Sequence, residues 1–236
     1  SNISQSTALN QNYKSHIIAD LVSGRLVPGP IWEKRDYRLK FLLRSLLFWS
    51  ATNRMLSALS RRPDFERLLA TQITLPSKSH RQYLTRDLHA TQRADAIINH
   101  YYWLDHALTP VLAAALSATA PTPLFDFSGK DDAPFRAYSS NASKSEREGE
   151  STLWLCDADN TVLASATFSV VGENGQQALV IGGLQGPRKD VSHDVIKVAT
   201  RACHGIFPKK MLLEVLSQLA VHTGISAIYG VSDNGH

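Results

Sequence analysis

The hydrophobic period of this chain changes once, and the change divides it. Up to about residue 118, apolar side chains recur at the three- and four-residue spacing of helices. From Thr152 they fall into short strand-like runs separated by turn residues. Between the two lie ATAPTP, SGKDDAPFR and SSNASKSEREGES, dominated by Pro, Gly, Ser and charge. The order predicts an α+β protein with an all-helical N-terminal half and a sheet with helices in the C-terminal half. Four segments follow: 1–35 with little periodic signal and poor structure, 36–120 a helical domain, 121–151 a loop or linker, and 152–236 an α+β domain.

In the helical half, Asp36 is placed to cap a helix running to about Arg61. Leu39, Leu42, Leu43, Leu46, Leu47, Met55, Leu56 and Leu59 nearly surround that helix, which predicts deep burial. Pro63-Asp64 opens a shorter helix over Phe65–Gln72. Ser77 or Ser79 is placed to cap a helix reaching about Leu108, and Pro110 opens another to Ala118. FLLRSLLFW, residues 41–49, is far short of the roughly 20 apolar residues a spanning helix needs, and Arg44 interrupts it. No transmembrane segment and no signal peptide are read from the sequence.

The C-terminal half opens with strands Leu153–Cys156, Val162–Val171 and Ala178–Gly183. The turns Asp157–Asn160 and Gly172–Gly175 make the three consecutive and antiparallel. A glycine-rich turn, two helices and a strand Ala227–Val231 complete the unit, with Gly224 where a helix-terminating glycine belongs. The start at Ser1-Asn2 reads as a tag remnant, and the stop at His236 reads as a cut before the natural C-terminus.

Two cysteines, Cys156 and Cys203, exclude a disulfide scaffold and a four-cysteine zinc site and suit a reducing cytoplasm. The net charge of +4 suits an anionic small molecule, a lipid or a protein partner. Solubility alone also explains it and is the favoured reading, since no dense Lys/Arg run appears, and no basic run with interleaved aromatics points to nucleic acid.

Candidate chemistry gathers in three places. The turn from Gly182 to Pro187 offers Gly183, Gln185 and Gly186 as a close-approach surface for an anion, or as a plain tight turn. The link Gly205–Lys210 offers free amides and Lys209 at a helix start, or a helix elbow with Phe207 packed inward. Arg86, His89, Arg93 and His100 share one face of a helix, as an anion-binding stripe or a solvated face. His204 and His236 are the candidate general bases. No HExxH pair or comparable spacing supports a metal.

The runs IGGLQGP, HGIFPKKMLLEVLSQLA and IYGVSDNGH, with RQYLTRDLHATQRADAIINHYYWL upstream, resemble the VirK/YbjX family of bacterial proteins. The likeness runs from about residue 36 to the end, and family members continue beyond the motif that ends here at His236. It implies a part in virulence, envelope integrity and resistance to cationic antimicrobial peptides, and brings no established catalytic residues. The strand, glycine turn, helix and strand order is also similar to the core of GNAT-type acyltransferases. That likeness implies a GNAT-like sheet holding a coenzyme A thioester at Gln185-Gly186 or Lys209. One added helix, about Ser192 to His204, departs from it.

The resulting expectation is a cytoplasmic envelope factor, placed at or near the periphery of the inner membrane, with an acyltransferase-like activity. The alternative is a non-enzymatic binding or chaperone-like factor for envelope or surface-protein biogenesis.

Overall fold

A computed structural model describes residues 16–230. They divide into two compact units, one of residues up to 83 with 87–98, the other of residues 84–86 and from 99 onward.

The first unit is helical. Helix α1 is Ile17–Ser23, α2 Arg35–Leu47, α3 Trp49–Ser60 and α4 Phe65–Thr71, with 3-10 turns at Pro30–Glu33 and Leu75–His80. The expected single helix from Asp36 to Arg61 is two helices, because Phe48 leaves helical geometry at φ −116°, ψ 44°. The expected burial of α2 on all sides is also corrected. Only Phe41 and Ser45 are buried on it, while Leu39, Leu43, Leu46 and Leu47 are 56%, 59%, 60% and 74% exposed. Part of the segment 1–35 is ordered, since it contains α1 and the first 3-10 turn; residues 1–15 lie outside the described residues.

The core of this unit is aromatic. Trp32 is fully buried, meets Tyr37 and Phe41 edge-on, and donates its indole N–H to the Ile73 carbonyl at 2.6 Å. The His80 ring stacks between Phe41 and Phe48 at 5.7 and 5.9 Å.

Helix α5, Ala90–Ala107, contributes its residues up to 98 to the first unit and the rest to the second. It starts later than the expected cap at Ser77 or Ser79. Residues 75–80 form the 3-10 turn instead, and the Gln92 side chain reaches back to the His89 N–H at 2.8 Å. That return bond is half of a capping box and defines the true helix start.

The second unit continues with α6, Pro110–Leu116, and a mixed sheet in the spatial order β1 to β6. The strands are Thr122–Ser128, Pro134–Asn141, Ser151–Cys156, Val162–Glu173, Gln176–Gln185 and Ile225–Gly230. β1 through β5 pair antiparallel and β6 joins β5 in parallel, after helices α7, His193–Ala202, and α8, Pro208–His222. The expected loop at 121–151 therefore holds two strands. Their short apolar content lies in Leu124, Phe125, Phe127, Phe135 and Ala137, interrupted by turn residues that mask the alternation. Between β4 and β5, Asn174 and Gly175 take positive φ of 50° and 77°, the two-residue turn that matches strand twist.

Helix α6 covers β1 to β3, and α8 covers β3 to β6. Strand hydroxyls satisfy the carbonyls at the end of α6: Ser139 Oγ donates to Ala115 and Ser151 Oγ to Leu116, each at 2.7 Å.

Candidate functional site

A cavity of about 660 Å³ opens between α6, α8 and the sheet. Leu112 and Leu116 from α6, Leu124 and Phe127 from β1, and Leu153 from β3 line one side. From α8 come Met211, Val215 and Leu219, and beside them Glu214, Gln218 and His222. Both α8 rows have a spacing of four, so each forms a stripe along the helix. The deeper stripe of Leu212, Leu216 and Ala220 is buried in the sheet. Helix α8 thus carries two adjacent apolar stripes, one spent on the core and one facing the cavity. The exposed polar row forms its rim. From Met211 to His222 the wall is about 16 Å long. Such a wall accepts an elongated apolar group with a polar end near the rim.

The sequence carried a sign of this site in the double apolar width of MLLEVLSQLAVH. A single sheet contact needs only one such stripe.

The glycine turn has a different environment from a phosphate cradle. A Cβ on Gly182 would meet the main chain of Glu148, and one on Gly183 would meet the Glu148 carboxylate. Gly149, at φ 155°, presses on the backbone of Phe168 in the same way. These three glycines let the segment before β3 lie directly on β4 and β5, held also by the bond from Glu150 N–H to Phe168 at 3.0 Å. The space beside Gly183 that an anion would need is occupied by a carboxylate of the protein itself.

Further along, Gly186 and Lys209 do come together. A Cβ on Gly186 would lie 3.4 Å from Lys209 Cε, so the lysine stem runs beside the turn. Gln185 and Lys209 are exposed. Pro208 opens α8 as the sequence predicts, but Phe207 points outward at 65% exposure rather than packing inward. His204 is exposed on a left-handed residue at φ 56°. His236 lies outside the described residues.

The stripe Arg86, His89, Arg93 and His100 is not a common helical face, since the first two precede α5. Arg93 bonds main chain, with Nε on Ser79 O and Nη1 on Leu88 O, both at 2.8 Å. His100 is fully buried. Its Nδ1 accepts the Val170 N–H at 3.0 Å, so Nε2 carries the proton and faces Ser151 Oγ at 2.8 Å. With Ser151 donating onward to Leu116, the ring is a structural bridge between α5, β3, β4 and α6. Alongside it, Tyr101 donates to the buried Glu150 carboxylate at 3.0 Å.

Among the described residues no three His, Cys, Asp or Glu side chains group as metal ligands. No helix among them is long and apolar enough to cross a membrane.

Comparison with known proteins places the chain. Residues 30–236 match the family described as "Protein of unknown function (DUF535)". The chain is 31% identical over 220 residues to "Uncharacterized protein YbjX" of Escherichia coli (strain K12), covering 93% of this chain and 67% of that protein. An "Uncharacterized protein" of Haemophilus influenzae is 25% identical over 208 residues, 86% of this chain and 66% of that one. "Membrane protein LapB" of Mannheimia haemolytica is 21% identical over 204 residues, 84% of this chain and 85% of the other. The chain spans about two thirds of the length of the first two. It belongs to the VirK/YbjX family of bacterial proteins, as the glycine-turn and helix motifs of its C-terminal half implied.

Proposed function

We propose that this protein is an envelope factor that holds a long acyl chain or comparable lipid tail. The observation that carries the reading is the cavity between α6, α8 and the sheet. It has apolar walls, a side about 16 Å long along α8, and Glu214, Gln218 and His222 at its rim. Its volume of about 660 Å³ lies within the range of small-molecule sites. A lipid-handling role suits a part in envelope integrity, and the word membrane in the name of the Mannheimia relative agrees with it. The protein works on the cytoplasmic side, peripheral to the inner membrane.

Binding of a fluorescent long-chain fatty acid tests the reading. Val215→Trp and Leu219→Trp each place an indole in the cavity. The reading expects saturable binding to the native chain and at least tenfold weaker binding to either variant, with unchanged circular dichroism. Equal binding by all three, or none by the native chain, refutes it.

A second reading is a GNAT-like acyltransferase, favoured by the order of the sheet. An antiparallel meander leads into β5, a helical crossover and a parallel β6, and Lys209 flanks Gly186 where α8 begins. Such an enzyme would carry a coenzyme A thioester along that turn. Titration with acyl-coenzyme A, repeated with Lys209→Ala, tests it. No heat and no thermal shift at millimolar ligand would remove the enzyme and leave the binding factor.

A further inference from the structure

Helix α2 carries an apolar surface that the fold does not use. On a wheel of about 100° per residue, Leu39, Leu43, Leu46 and Leu47 cover an arc of about 100° opposite the buried Phe41 and Ser45. Trp49, half exposed, follows two residues after Leu47 at the start of α3. Lys40 and Arg44, both exposed, lie along one margin of the arc and Arg35 along the other. A contiguous exposed ridge of this kind marks an interaction surface, unlike scattered single leucines.

Its charge selects the partner. The one acidic residue of α2, Asp36, is exposed in its first turn on the same arc; from Tyr37 to Pro63 the chain has no Asp or Glu, but it has Arg38, Lys40, Arg44, Arg54, Arg61 and Arg62. Arg54 pairs with Asp95 and Arg62 with Asp64, whereas Lys40 and Arg44 have no ion-pair partner among the described residues. A second copy docked on the same face by two-fold symmetry would bring these cations toward one another. A surface of anionic lipid headgroups would neutralise them while accepting the leucines and the indole at the acyl boundary. Lysine and arginine stems can lie along the apolar ridge with their charges at headgroup level.

We infer that the exposed face of α2, with Leu39, Leu43, Leu46, Leu47 and Trp49 flanked by Lys40 and Arg44, is an in-plane contact with an anionic membrane surface. The inference deepens the peripheral placement proposed above and rests on it, but it does not depend on what fills the cavity.

Co-sedimentation of the full chain with vesicles tests it, using pure phosphatidylcholine or a mixture with 30% phosphatidylglycerol. Binding to the anionic vesicles only is expected. Leu43→Glu with Leu47→Glu should abolish it, at positions exposed enough to leave the fold intact. Lys40→Glu with Arg44→Glu should weaken it at least tenfold, given several-fold affinity per cation at such a surface. No binding to anionic vesicles would overturn both the inference and the peripheral placement. Binding unaltered by the leucine pair would overturn the inference alone. A dimer in solution that the leucine pair converts to monomer would assign the face to self-association and overturn it as well. Val215→Trp, the cavity variant, should bind vesicles like the native chain, so the two readings fail separately.

Discussion

Lowering the pH should destabilise the first unit through one side chain, His80. Thr52 Oγ1 donates to the Phe48 carbonyl at 2.9 Å, so it must accept from His80 Nε2–H at 2.7 Å. The other nitrogen, Nδ1, is buried without a hydrogen-bond partner among the described residues. A proton there would have no acceptor, in a ring closed between Phe41 and Phe48. Burial, then the nearby charges of Arg44, Arg81 and Arg93, hold the pKa down at about 4. The unfolded chain titrates near 6.5 and therefore binds the extra proton first as the pH falls. Stability from this group is complete above about pH 6.5 and is lost progressively as the pH falls toward 4. A gap of about 2.5 pKa units corresponds to about 3 kcal/mol in full, of which about 2 to 3 kcal/mol is gone by pH 4.5. The assay is urea unfolding at pH 7 and pH 4.5 for the native chain and for His80→Phe. The variant loses the Thr52 bond and is less stable at pH 7, but its stability should fall by about 2 to 3 kcal/mol less between the two pH values. Equal falls in both proteins would refute the argument, as would a His80 ring proton titrating with a midpoint above 5.5 by NMR.

Three other outcomes follow from the geometry. His100→Ala removes a bridge with two bonded ring nitrogens and leaves the buried Val170 N–H unpaired, so urea unfolding should show a loss of about 3 kcal/mol or more. Gly182→Ala drives a methyl group into the Glu148 main chain, which has little freedom to retreat. The same assay should show a loss of about 2 to 3 kcal/mol, and an unchanged midpoint would contradict the close approach. Burial raises the thiol pKa of Cys156, with help from the Asp157 charge, and burial raises that of Cys203. Both should react slowly with a disulfide reagent at pH 7.5 and quickly in urea. Rapid labelling of the folded chain would contradict this.

Part of the site was legible without coordinates and part was not. The glycines at 182 and 183 stand out in sequence because they lack side chains, but the sequence does not show what approaches them. The approaching group, Glu148, lies more than thirty residues away in a stretch that reads as linker. His100 looks like one member of a basic stripe because helical spacing relates it to Arg93. Spacing on one helix is silent about the strands it packs against, and those strands bury the ring. The cavity was half legible: the stripes of α8 are local, but Leu124, Leu153 and the α6 leucines join them only through folding.

Local chemistry alone determined the elements with strong periodic or turn signals. These are the helical first half, the hairpin at Asn174-Gly175, Pro208 at the head of α8 and the glycine after its end. Each depends on neighbours within a turn or two of the chain. Tertiary structure decided which apolar faces are spent. The leucines of α2 and α8 have the same helical periodicity as any core residue. Burial depends on whether a second surface lies opposite, so the same pattern gives a core contact at Leu212, a cavity wall at Val215 and an exposed ridge at Leu43.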